Sequence, residues 1–222
     1  MSLRERTRQA VRAELSRFGM DLFATNGYDE TTVAQVAEAA GMSERSFFRY
    51  FSSKADIAFA SQDKFGHTIE AALAGRPATE PLWYAVRRAF DSIIDTIDRN
   101  PEGRSLRLST LFYSTPELHR VRLQRLDEWA TLLAPHVAVH LDEPSNPDVP
   151  DPRPAAIAAS AVMCYEAALA TWVSVEGKAS MAALFDETMD AIAHVGRLEA
   201  GHDTLASTSE PSGASPRAIR RT

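Results

Sequence analysis

One cysteine among 222 residues leaves no intramolecular disulfide and no multi-cysteine metal site. That residue, Cys164, has apolar neighbours and is expected to be an inert buried thiol. Long uninterrupted hydrophobic runs are also missing. The most apolar stretch, AAIAASAVMCYEAALATWV, is mostly alanine and is interrupted by Ser160, Tyr165 and Glu166, so a buried helix is expected there rather than a membrane span. The start, MSLRERTRQAVRAEL, is charged with no apolar segment behind it, so no signal peptide is expected. A cytoplasmic protein with no membrane partner follows. No strand-like alternation survives the turn signals, and no repeat is evident. The sequence offers no Ser-His-Asp order, no phosphate-binding glycine loop and no complete metal motif, which argues against an enzyme and for no cofactor and no metal.

An excess of cations is missing too: the net charge is −6. Its distribution matters more than its sum. Residues 1–56 hold eight cations against eight acids, so the deficit belongs to the rest of the chain. A neutral segment with clustered arginines can still hold phosphates. Arg4, Arg6, Arg8 and Arg12 are read either as a solvated helix start or as a DNA-contacting arm.

What is present is helical periodicity. Val11, Leu15, Phe18 and Leu22 mark a first helix that stops at Asn26-Gly27. Thr32-x-x-Gln35 is a capping box ahead of Val33, Val36, Ala37 and Ala40, and Gly41 ends that short helix. Ser43 caps another short helix through Phe51, and Ser53 caps one expected to run unbroken from Lys54 to about Leu73. Further helices are expected near 81–99, 102–113, 116–140, 154–176 and 180–198. The fold class is all-α, about nine helices in total. The expected organisation is a three-helix domain at 1–56, a larger helical domain at 57–200 and a disordered tail at 201–222.

Residues 32–51 have the spacing of a helix-turn-helix, whose second helix lies in a DNA major groove. Within AGMSERSFFRYFSSK, Phe47, Phe51 and Met42 share one face and should pack on Val36, Ala37 and Ile57. The opposite face keeps Glu44, Arg45, Phe48 and Arg49, with Ser43, Tyr50 and Lys54 at its margins. Arginine forks can reach guanine edges, a Phe can meet a thymine methyl, and hydroxyls and Lys can hold phosphates. Glu44 fits there by reading a cytosine amino group or by pairing with an arginine.

Residues 11–57, above all TTVAQVAEAAGMSERSFFRYFSSKADI, resemble the DNA-binding domain of the TetR family of transcriptional regulators. The resemblance implies a phosphate contact at Thr32, base and nearby phosphate contacts at Arg45, Ser46, Phe48 and Arg49, and backbone contacts at Tyr50 and Lys54. Phe48 stands where the family more often has Tyr, so a hydroxyl contact there is lost. The family further implies a homodimer on a near-palindromic double-stranded DNA operator. Most members are repressors, and a small molecule, here of unknown identity, releases the operator.

The larger domain carries aromatic and sulfur residues suited to an apolar cavity, with Trp83, Phe90, Phe112, Trp129, Met163 and Glu166 as candidate effector contacts. Glu166, on an otherwise apolar helix, has three open roles: a ligand anchor, a partner for an arginine, or a residue facing a second subunit. Ala159, Ala170, Phe185, Met189 and Ile192 are candidate dimer-interface residues on the last two helices. His136 and His140, with Asp142 close by, read as a solvated helix end. The alternatives are a DNA-binding dimer without an effector and an enzyme on a helical fold.

Overall fold

Capping side chains start the first four helices. In the computed structural model, which describes residues 2–99, 103–144, 146 and 148–202, Ser2 opens α1 (Leu3–Asn26) by accepting the Glu5 backbone N–H at 3.2 Å. Thr32 and Gln35 cap α2 (Val33–Ala39) reciprocally, the Thr32 backbone N–H donating to Gln35 Oε1 at 2.7 Å. Gly41, at φ +67°, makes the turn, in a backbone region that strains any residue with a Cβ. Ser43 then caps α3 (Glu44–Phe47), and a Ser53–Asp56 box caps α4 (Lys54–Phe59).

The other helices are α5 (Phe65–Ala74), α6 (Leu82–Ala89), α7 (Asp91–Asp98), α8 (Arg104–Ser114), α9 (Pro116–Ala138), α10 (Arg153–Ser174) and α11 (Met181–His202). The described residues hold no strand, as expected of an all-α chain. Among the described residues eleven α-helices replace the expected nine, because two long ones are broken. The helix expected over 54–73 stops at Phe59, passes through a 3₁₀ turn at Ala60–Gln62 and restarts at Phe65. Phe59 is buried in one core and Phe65 packs against another, and the break lets the chain pass between them. The helix expected over 81–99 breaks at Phe90, whose ring is fully buried 5.0 Å from Phe185 and 5.6 Å from Tyr165. The tail expected beyond residue 201 lies outside the described residues after His202.

Two cores result. The first joins Leu15 and Phe23 of α1, Val36 and Ala37 of α2, Phe47 and Phe51, and Ile57 and Phe59 of α4. Gly19 allows α1 to approach α4, because a Cβ there would collide with Ile57 Cγ2. This core also takes in Phe112 and Leu118, from the α8–α9 elbow. The second core lies among α5, α6, α7, α9, α10 and α11. Among the described helices α10 alone is long and apolar enough to cross a membrane, and one side of it is packed into this core.

Candidate nucleic-acid interface and the larger core

The helical phase of α3 sorts its aromatics. Phe47 and Phe51 are buried, while Phe48, two-ring edge contact with Phe47 notwithstanding, is 53% exposed. Ser43, Glu44, Arg45 and Arg49 share its exposure, and Ser46 and Tyr50 are half-buried beside them. Ser43 Oγ accepts the Ser46 backbone N–H at 3.2 Å, so its hydroxyl shapes the helix start. Arg49 lies along Tyr50, 3.5 Å from the phenol oxygen, and Arg45 has no ion pair among the described residues. Glu44 pairs with no arginine there either; it occupies the first turn of α3, where the helix dipole favours an acid. Thr32 is exposed, with its hydroxyl already serving the cap of α2.

Lys54 has a structural partner. Its ammonium donates to the Tyr28 carbonyl at 2.8 Å and stands 4.1 Å from the centre of the Tyr28 ring. The Tyr28 hydroxyl in turn donates to Glu117 Oε2 at 3.1 Å, at the start of α9, and burial together with that carboxylate raises the phenol pKa. Phe59 stacks face to face on Phe112 at 4.3 Å. The Tyr28–Glu117 bond and the Phe59–Phe112 stack thus add to the packing of Leu118 in fastening the α8–α9 elbow to the first core.

The larger core settles the environment of Glu166. Its Oε2 accepts from Arg122 Nε at 2.8 Å and Nη2 at 2.6 Å, and its Oε1 accepts the Tyr113 hydroxyl at 2.8 Å. Arg122 is 2% exposed. Burial opposes its charge, but the Tyr165 and Glu166 side chains outweigh it and raise its pKa. Burial, which disfavours the charged form, raises the Tyr113 phenol. Of the three roles open to Glu166, pairing with an arginine is realised in this structure.

Arg122 was not singled out in the sequence, although a signal existed. It falls on the buried stripe Leu118, Leu126, Trp129 and Leu133 of α9, just as Glu166 falls on the buried stripe of α10. An isolated charge on each of two apolar stripes calls for the other.

Two candidate effector residues lie elsewhere. Phe112 belongs to the helix-turn-helix core, and Met163 is 51% exposed on the outer face of α10. Trp83 donates its indole N–H to the Met189 carbonyl at 2.9 Å, Phe90 packs as described, and Trp129 sits 5.9 Å from Tyr165. Two candidate interface residues are likewise corrected. Phe185 and Met189 are buried within the chain, because the apolar stripe of α11 covers Phe90 and Trp83. Ala159, Ala170 and Ile192 are exposed as an interface would need. Ala159 and Ala170 join Ala156, Met163 and Ala167 in an exposed apolar stripe along α10, and Ile192 is exposed on α11. His136 turns toward Glu70 of α5 at 3.4 Å, and His67 meets the other oxygen at 3.0 Å, which holds the Glu70 carboxyl below its usual range.

Comparison with known proteins agrees with this geometry. The family model "Bacterial regulatory proteins, tetR family" matches residues 18–60, and that of the "MftR C-terminal domain" matches residues 80–196. The HTH-type transcriptional regulator TcmR of Streptomyces glaucescens is 33% identical over 154 residues, covering 65% of this chain and 68% of that protein. A TetR-family regulator from Streptomyces coelicolor shares the fold with a TM-score of 0.54 at 20% identity, over 92% of this chain and 86% of the other. Thermus thermophilus FadR, a repressor solved with lauroyl-CoA, gives 0.50 at 18% identity, over 93% and 100%. With its carboxyl-terminal half and its helix-turn-helix matched in chain order, the chain belongs to the TetR family of transcriptional regulators.

Proposed function

We propose that the chain is a ligand-responsive repressor that binds a near-palindromic operator as a homodimer in the cytoplasm and releases it when a small, largely apolar effector binds. The observation that carries this reading is α3: a short helix with Phe47 and Phe51 anchored in the core and Arg45, Phe48 and Arg49 left exposed on one face. Arg45 and Arg49 read base edges, Phe48 meets a thymine methyl, and Ser43, Ser46, Thr32, Tyr50 and Lys54 flank them at phosphates. The stripe of Ala156, Ala159, Met163, Ala167 and Ala170 supports a dimer, since small side chains let helices approach closely and a two-fold axis presents two recognition helices.

Trp83, Phe90 and Trp129 of the larger core, with the Arg122–Glu166–Tyr113 cluster as its polar part, make the effector region. Support for an apolar effector with a polar head comes from that composition and from FadR, which binds lauroyl-CoA. The close packing of Phe90, Tyr165 and Phe185 favours the second reading, a DNA-binding dimer whose larger domain holds no effector.

Selection of bound duplexes from a random library tests the main reading. Two inverted half-sites one helical turn apart, or a multiple of it, are expected. Charge placed on the stripe, as Met163→Asp, should leave a folded monomer with operator binding lost at matched concentration. A single unrepeated half-site bound by a monomer would contradict the dimeric reading.

A further inference from the structure

The recognition helix is only four residues long, Glu44–Phe47, with a turn through Tyr50. So short a helix has little stability of its own and takes its orientation from what holds its two ends. Ser43 holds the first end. At the second, Arg12 of α1 donates Nη1 to the Tyr50 carbonyl and stands over the Phe51 ring, 4.3 Å from its centre. A guanidinium at a helix carboxyl end also complements the helix dipole.

Arg12 is itself held. Its Nη2 is paired with Asp63 Oδ2, in the joint between the 3₁₀ turn and α5. The other oxygen of Asp63 accepts from Arg125 Nη1 at 3.1 Å, and Arg125 sits 4.9 Å from the centre of the Phe59 ring. Arg125 belongs to α9, three residues beyond Arg122, which grips Glu166 of α10. Asp63 thus stands between an arginine of the helix-turn-helix and an arginine of the larger domain, and it is shared by both.

We propose that Arg12 and Asp63 are positioning residues for DNA recognition, and that Arg125 makes the orientation of α3 depend on the position of α9. None of the three needs to touch DNA. All are partly exposed, at 24% to 31% of the side chain, so each pair alone contributes little to stability; what the network supplies is a fixed direction for the end of α3. It borders a cleft of about 740 Å³ lined by Arg8, Arg12, Asp63, Lys64 and Phe65. A shift of α9 that drew Arg125 and Asp63 away would free Arg12 and release the end of α3. This inference uses the DNA-binding reading for its functional consequence, but the structural link can be tested without DNA.

The test is amide hydrogen exchange on the full-length protein without DNA, for the parent, Arg12→Ala, Asp63→Asn, Asp63→Glu, Arg125→Met and the surface control Arg99→Met. Peptides over 44–51 should exchange several-fold faster in Arg12→Ala, Asp63→Asn and Arg125→Met, with α10 unchanged. Asp63→Glu, which keeps a carboxylate, and Arg99→Met should match the parent. In a second arm, affinity for the duplex selected by the parent should fall about 5- to 30-fold in the same three variants, without a change in salt slope, since no phosphate contact is lost. Parent-like exchange in Asp63→Asn overturns the proposal. Faster exchange in Arg12→Ala and Asp63→Asn but not in Arg125→Met overturns the link to α9. A reduced salt slope in Arg12→Ala would make it a phosphate contact and overturn the positioning role. If the parent selects no duplex, the DNA-binding reading fails while the exchange arm still decides the structural link.

Discussion

The two cores treat buried polarity differently. Around the helix-turn-helix, Ser16 donates its hydroxyl to the Ile57 carbonyl at 2.9 Å and Thr31 donates to the Gly27 carbonyl at 2.8 Å, both neutral bonds to backbone. In the larger core, Arg122 of α9 and Glu166 of α10 bring opposite full charges to one point, where the neutral Tyr113 hydroxyl of α8 joins them. A hydroxyl that loses its partner costs modestly, whereas a buried charge that loses its partner costs several times more. The first core therefore depends little on any one polar pair. The second is conditional on α8, α9 and α10 staying in register.

The largest effects should come from breaking that register. Arg122→Ala strands the Glu166 carboxylate and should cost ~3–5 kcal/mol in urea unfolding at fixed protein concentration. Replacing both ends, Arg122→Met with Glu166→Leu, should restore most of it, because a well-packed apolar pair is close to neutral. If the double variant is as unstable as the single one, packing rather than charge pairing governs this point.

Two adjacent aromatics sharpen the contrast on the other side. Phe47→Ala opens a cavity in the first core and should cost ~3–5 kcal/mol. Phe48→Ala should stay within ~0.5 kcal/mol of the parent in stability. It should nonetheless weaken binding to the selected duplex. Equal stability losses at the two positions would contradict the assignment of faces.

Smaller again is the cap of the recognition helix: Ser43→Ala should cost ~0.5–2 kcal/mol, read by the same unfolding measurement. Least of all should be felt at Cys164, which is buried and whose thiol burial pushes up, with Sγ 3.5 Å from the Thr188 carbonyl. A thiol reagent should label it slowly in the native protein and rapidly in urea, while Cys164→Ala retains operator binding. Fast native labelling would mean that α10 and α11 separate readily.

These differences also explain what could be read from the sequence. The helix-turn-helix is coded locally: Thr32 with Gln35, Gly41, Ser43 and Ser53 with Asp56 are each within four residues of what they organise, and helical phase alone separates Phe47 from Phe48. The breaks at Ala60–Gln62 and Phe90 carry no proline or glycine and arise from distant packing, so periodicity ran through them. An apolar stripe does not say whether its own chain or a second copy covers it, and Phe185 and Met189 are covered by their own chain. Glu166 was visible as an anomaly, but its partner was 44 positions away.

On the proposed function, the exposed face of α3 reads the operator. Fluorescence-anisotropy titration of the selected duplex with the parent, Arg45→Ala and Arg49→Ala, at matched salt and with dimerisation verified, tests it most directly. A bidentate base contact is worth ~1–3 kcal/mol, so at least one variant should bind about 5- to 150-fold more weakly and lose discrimination at one base pair of each half-site. Two folded, dimeric variants that bind with the parent's affinity and sequence preference would contradict the account.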